Sequence, residues 1–330
     1  FGCIFPGEQI TNPDGYTDGY TDEIAPFADQ DLAYLAFINS DLSTATDLRF
    51  FVDRLDLKAG RIIVSKTQNF GHFTDVSSAI SYASKFTEMY PNQGTPTVFI
   101  DQGDYEISST ILVDFDIKIC GAGPDTVLKR TGTFAEGTPP VAGNPDFGDA
   151  LFLVGTTSET GSARIMNGVT FSDFTYLSSE DLDAVACVIS IIQPLIKAGE
   201  NASETATYRV QDINFLGPED INFGTGTDSE LIGEYAIALG QSDENDFAPI
   251  SDITMGNLMV TGCRFDRMGV EYGAIIFSDS SSSTFQNVVV SNNIGTRLSP
   301  TAAITTFELI ELPASPTLTN IIQSNNATNI

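Results

Sequence analysis

The stretch FGHFTDVSSAISYASKFTEMYPNQGTPTVFIDQGDYEIS, residues 70–108, changes its hydrophobic period halfway along. Up to Phe86 the apolar positions Phe73, Val76, Ile80, Ala83 and Phe86 recur at helical spacing and fall on one face of a helix. Thr74 or Asp75 supplies an N-cap and Pro91 stands beyond the end, which predicts a helix over 74–89. After NQG the pattern turns to short strand-like runs, TPTVFID, STILVD, DIKICG and TVLKR, separated by Gly, Asp or Ser. Helical periodicity hardly returns downstream.

Sliding the sequence against itself exposes a repeat. One frame recurs: a polar residue or Gly, then Ile or Val, then three mostly strand-compatible residues, then Gly, Asp or Asn. It reads DIKICG from Asp116, GVTFSD from Gly168, DINFLG from Asp212, DITMGN from Asp252, NVVVSN from Asn287 and NIIQSN from Asn320. The strand core is constant while the intervals shrink along the chain, so one structural unit repeats with loops of varying length. A propeller blade carries four strands, and a sandwich does not repeat one frame six times. The pattern therefore predicts an all-β fold, a single-stranded parallel β-helix of roughly six to eight coils and about 30 to 40 Å. Its first coil would expose an apolar end and unpaired backbone groups. The two-faced helix before that coil reads as the lid, and His72, the only histidine, as a boundary residue rather than a catalyst.

Composition narrows the function. The chain holds 44 acidic and 15 basic side chains, a formal charge of −29, which speaks against a nucleic-acid partner. The longest apolar run, AVACVISII at 184–192, is about half the roughly 20 residues of a membrane span, so no span is expected. Cys3, Cys120, Cys187 and Cys263 are too widely separated for a zinc site or a small disulfide framework. At least three of them read as buried apolar filler. Residues 1–66, rich at first in Gly, Pro and Asp, read as a separate arm or attachment segment, followed by the β-helix over 67–330.

The run from Phe73 to Arg130 resembles the opening of the pectate-lyase-like right-handed parallel β-helix superfamily. It carries a short capping helix, a strand with a Gly-x-Tyr turn at Gly103 and Tyr105, and a Gly-x-Gly turn at Gly121 and Gly123 before TVLKR. The resemblance implies a right-handed coil and admits both polysaccharide enzymes and the tailspikes and other surface proteins of bacterial viruses. Fold is thereby better specified than function.

The enzymatic members place demands that can be compared with this chain. Polygalacturonase-like hydrolysis uses an aspartate cluster with a His-Gly pair further along, and no histidine follows His72. Methylesterase chemistry uses two aspartates, an arginine and flanking glutamines; Gln211 and Asp212 look suitable, but Asp212 reads as a frame position shared with Asp116, Asp252 and Asn287. Calcium-dependent lyase chemistry needs grouped acids and an Arg or Lys base, for which Asp220, Asp266 and Arg267 are the fallback candidates; solvated turn residues are the plainer reading. No cofactor is expected, calcium being the one ion the lyase reading would admit. The absence of Trp removes the side chain best suited to stacking on sugar rings.

The expectation is therefore a structural or adhesive surface protein, a virion head fibre, spike or tail component without catalysis of its own. The alternative is a secreted lyase, esterase or hydrolase of acidic glycans. The viral resemblance implies a homotrimer on the virion surface or otherwise extracellular, attached to other virion proteins through residues 1–66 and in contact with a host-surface glycan.

Overall fold

The computed structural model describes residues 60–67, 71–90, 94–131, 150–155, 168–179, 185–191, 207–218, 233–239, 254–269, 273–277, 284–296, 310 and 317–329. The chain divides into two units, Phe1–Arg61 and Ile62–Ile330, and all but the first two of these residues belong to the second. The arm expected over residues 1–66 lies outside the described residues as far as position 59. Near its expected end, Arg61–Val64 forms strand β1, which already pairs with the coil.

The helix forms where its period predicts. Helix α1 (Val76–Met89) starts at Asp75, whose carboxylate accepts a hydrogen bond of 2.7 Å from the Ser78 N–H. Val76, Ala79, Ile80, Ala83 and Phe86 are buried. They belong to a face that packs on β2 (Thr97–Ile100), β3 (Gly103–Ile107) and β4 (Ile111–Val113). Those three strands belong to three different sheets, so one helix covers the whole cross-section of the first full coil. His72 sits at this boundary, its Nδ1 accepting from the Ile63 N–H at 2.9 Å.

Beyond the lid the chain winds as a right-handed, single-stranded parallel β-helix, visiting three parallel sheets in the same order on each turn. The first sheet stacks β1, β2, β5 (Ile117–Gly121), β8 (Gly168–Ser172), β11 (Thr207–Gln211), β15 (Leu258–Thr261), β18 (Thr284–Ser291) and β20 (Thr317–Ser324). Its ninth strand, β14 (Thr254–Gly256), pairs with the early part of β18. The second sheet stacks β3, β6 (Thr126–Arg130), β9 (Thr175–Leu177), β12 (Asn214–Leu216), β16 (Arg264–Asp266), β19 (Ile294–Thr296) and β21 (Ala327–Asn329). The third stacks β4, β7 (Ala150–Val154), β10 (Val185–Ile191), β13 (Gly233–Leu239) and β17 (Ile275–Phe277). Eight rungs at the strand spacing give a length of about 35 Å.

Register follows from the interior columns. Ile117, Val169, Tyr208 and Leu258 face one another on successive rungs of the first sheet, and all are buried. Each such burial contributes about 1.5–3 kcal/mol before chain entropy is counted. Aromatic rings continue the stack: Phe215 and Phe265 lie parallel with centroids 5.1 Å apart, and Phe277 meets Phe285 edge-on.

On five successive rungs, from β8 to β20, the turn from the first sheet to the second takes two residues, and its first residue is left-handed. Asp173, Asp212, Asn292 and Asn325 have φ of 61°, 53°, 58° and 54°, and Gly262 completes the column at 70°. Asp, Asn and Gly tolerate this region because a short polar side chain, or none, relieves the clash that a Cβ branch would cause. A second left-handed column runs within the first sheet, with Asn287 inside β18, Asn320 inside β20 and Asn257 between β14 and β15. There Asn320 Nδ2 donates to Asn287 Oδ1 at 3.0 Å, and Asn287 Nδ2 to Asn257 Oδ1 at 3.1 Å.

Two of the six frames are corrected by this register. Those from Asp116, Gly168, Asn287 and Asn320 do stack in the first sheet. The frame from Asp212 instead runs into β12 of the second sheet, and the first-sheet member of that coil is Thr207–Gln211. Asp212 therefore aligns with Asp173, Gly262 and Asn292 at the corner, not with Asp116 or Asn287. The frame from Asp252 lies partly outside the described residues, and the strand aligned with the others starts at Leu258. The physical cause is that the first-sheet frames and the corner into the second sheet present a similar string, a polar residue or Gly followed by an apolar residue and a short strand. Periodicity alone does not say which sheet receives it.

At the corner Asn293 is almost fully buried and joins three rungs. Its Oδ1 accepts from the Cys263 N–H at 2.9 Å, and its Nδ2 donates to the Val260 carbonyl at 3.2 Å and to Asn326 Oδ1 at 3.1 Å. Asn293→Ala is expected to cost about 2–4 kcal/mol, because it orphans a buried donor and a buried acceptor. Asp212→Val is expected to cost about 1–2 kcal/mol through the left-handed backbone, with Asp212→Gly near neutral. Urea unfolding midpoints of the three variants check both.

Candidate functional site

The sequence candidates for chemistry separate in space or turn toward neighbouring rungs. Asp220 lies outside the described residues. Asp266 ends β16 and is almost fully buried, with its Oδ1 accepting from the Thr296 hydroxyl of the next rung at 2.7 Å. Its other oxygen stands 3.8 Å from Nε of Arg267, and the Arg267 N–H donates to the Thr296 carbonyl. Arg267 is itself left-handed, at φ 57°, and its carbonyl fits against Gly217 so closely that a Cβ there would overlap it. Asp266 and Arg267 are thus brought together, and both bond to the next rung. Gln211 faces Met259 Sδ at 3.9 Å, while Asp212 turns the corner.

A different cluster, missed in the sequence, lies inside the coil. Arg130 ends β6, Tyr176 lies in β9 and Glu234 in β13, and all three are fully buried. Arg130 Nε stands 3.1 Å from Glu234 Oε1 and 3.2 Å from the Tyr176 hydroxyl. The Tyr176 hydroxyl donates to Glu234 Oε1 at 2.6 Å, and Arg130 Nη2 donates to the Cys187 carbonyl at 3.2 Å. The signal was present in TVLKR: Thr126, Leu128 and Arg130 alternate on one face of the strand, so the arginine shares the parity of the buried leucine.

Chemically this is a sealed ion pair. Burial first, then the Glu234 charge, holds the Tyr176 phenol well above its usual range, so it stays protonated as a donor. The same two causes push up the Cys187 thiol, and burial pushes the Cys263 thiol up to about 12. Both are buried filler, as read from the sequence; Cys120 stands half-buried on the same face of β5 as Lys118, and Cys3 lies outside the described residues. Buried neutral thiols are poor nucleophiles. Among the described residues no group of three or more His, Cys, Asp or Glu is arranged to hold a metal ion. No helix among them is long and apolar enough to cross a membrane.

No protein-family model matches the chain, and neither a curated protein nor a solved structure matches it.

Removing one partner of the buried pair leaves the other charge uncompensated. Glu234→Ala is therefore expected to cost about 3–5 kcal/mol, with most of the loss recovered in the double variant Arg130→Met, Glu234→Leu; denaturant unfolding of the three proteins checks this. The thiols give an alkaline signature. Unfolded Cys263 loses its proton near its ordinary pKa of 9.0, whereas the folded thiol keeps it until about 12. The unfolded state thus binds fewer protons across that window, and stability falls as pH rises from about 9 to 12. Urea midpoints measured across this range should decline, and less steeply in Cys263→Ala.

Proposed function

We propose that the chain is a structural or adhesive surface protein without catalysis of its own, a head fibre, spike or tail component of a bacterial virus. On this reading it is a homotrimer exposed on the virion, held to other virion proteins through residues 1–66 and presented toward a host-surface glycan. The observation that carries it is where the chemistry-bearing side chains point. The Asp266 carboxylate bonds to the next rung and stands 3.8 Å from the Arg267 guanidinium, Asp212 turns a corner, and Arg130, Tyr176 and Glu234 close on one another inside the coil. A polymer substrate needs its acid and base on an open face. The excess of 44 acidic over 15 basic side chains supports the reading further, because it repels the acidic glycans that lyases and esterases of this fold process.

The test is a panel of acidic polysaccharides incubated with the whole chain, with and without calcium, followed by absorbance of unsaturated products and by reducing-end release. No product above a boiled control is expected. Clear turnover on any member of the panel overturns the non-catalytic reading.

A further inference from the structure

The far end of the coil is left as the near end would be without its lid. Among the described residues β20 pairs with β18 alone and β21 with β19 alone, so both strands keep one open edge. Leu318, Ile321 and Gln323 continue the interior columns of Phe285, Val288 and Val290; those three partners are buried, and none of the last-rung residues is. Edge strands are ordinarily blunted by a charge, a proline or a covering element. Residues 317–329 hold no Asp, Glu, Lys, Arg or Pro.

We infer that this rung is the docking edge for an extended strand of a partner polypeptide, which adds in parallel as one more rung. The amide ladders give the edge a direction. Asn320 Nδ2 donates back to Asn287 Oδ1, and Asn325 Nδ2 donates back to Asn292 Oδ1 at 3.3 Å, which leaves each of the two carboxamide oxygens for a donor ahead. Asn326 turns its side chain backward as well, Oδ1 accepting from the Asn293 N–H at 3.1 Å and Nδ2 donating to the Val290 carbonyl at 3.0 Å. In this column each backbone N–H is met by an amide oxygen of the following rung: Cys263 by Asn293, and Asn293 by Asn326. The Asn326 N–H is the next donor in that series.

Register and open groups together define the occupant. An asparagine opposite Asn320 and an Asn-Asn pair opposite Asn325 and Asn326 satisfy all three open groups, with apolar residues opposite Leu318 and Ile321. The fitting strand is therefore uncharged and reads apolar, any residue, Asn, apolar, any three residues, Asn, Asn. Residues 284–296 and 317–329 already answer one another in this way, with every ladder position displaced by 33 residues. Main-chain hydrogen bonds along the edge supply affinity, and the ladder supplies selectivity. A second copy of the chain does not fit. Its near end is closed by α1, which covers all three sheets there, and two far ends meeting about a two-fold axis would set amide oxygen against amide oxygen. Within residues 1–330 the spacing Asn-x4-Asn-Asn occurs at these two rungs alone, so no other stretch of them supplies the strand.

The probe is a fluorescent peptide with the sequence of residues 317–329, TLTNIIQSNNATN, titrated with the whole chain and read by anisotropy. Saturable binding is expected. It should weaken at least tenfold for a scrambled peptide of the same composition, and at least tenfold for the chain variant Gln323→Lys, which sets a charge on the open end. Asn325→Gly keeps the left-handed corner but removes one forward amide oxygen, and should weaken binding severalfold. Both positions are exposed, and circular dichroism melts confirm that both variants fold. Lys118→Ala, on an earlier rung, should leave binding unchanged. Absence of saturable binding, equal binding of the scrambled peptide, or full binding by Gln323→Lys overturns the inference. So does light scattering that shows the chain alone forming an oligomer which Gln323→Lys dissociates, because a second copy would then occupy the edge.

Discussion

A strand in a parallel coil has no hairpin partner, so its backbone is satisfied only by a rung directly before it and another directly after it. Everything else here depends on keeping the rungs in register. The left-handed column from Asp173 to Asn325 does this locally, because each coil leaves the first sheet through the same backbone conformation and enters the second two residues later. The interior columns do it globally, since a slip of one residue would turn Ile117, Val169 and Leu258 outward. At the start of the coil α1 ends the demand for a further rung by laying its apolar face across three sheets at once.

The buried Arg130–Tyr176–Glu234 network belongs to the same problem. Apolar columns of Ile, Val and Leu are nearly interchangeable, so they favour stacking without strongly specifying which rung meets which. An ion pair reaching from β6 to β13, with a tyrosine of β9 between them, is satisfied in one register alone. Asn293 has the same property at the corner, where its amide bonds to groups on the rungs before and after its own. Such groups contribute specificity more than net stability, since their desolvation offsets much of the attraction.

That division of labour bears on function. Asp212 and Asp266, the carboxylates that a reader would first assign to a uronate-processing enzyme, are engaged in backbone turning and rung-to-rung bonding. The chain's acidity has another pattern: among the described residues, none of 284–296 and 317–329 is Asp or Glu. In a coil of this kind the surface chemistry can vary from rung to rung without disturbing the core.

The lid was legible because a period of 3.6 residues over 14 residues is unambiguous, and its cap residue stood in view. The coil was legible because Asp, Asn and Gly return wherever a left-handed corner is needed. What the sequence by itself determined was thus the repeating unit, its strand content and its capped end, all set by local periodicity and turn chemistry. The tertiary structure alone decided which strand enters which sheet, why DINFLG belongs to the second, and that Arg130 faces Glu234 across the interior. Those outcomes depend on contacts between residues far apart in the chain, and a one-dimensional pattern that recurs both in the first sheet and at the corner into the second carries no information about which of them it marks.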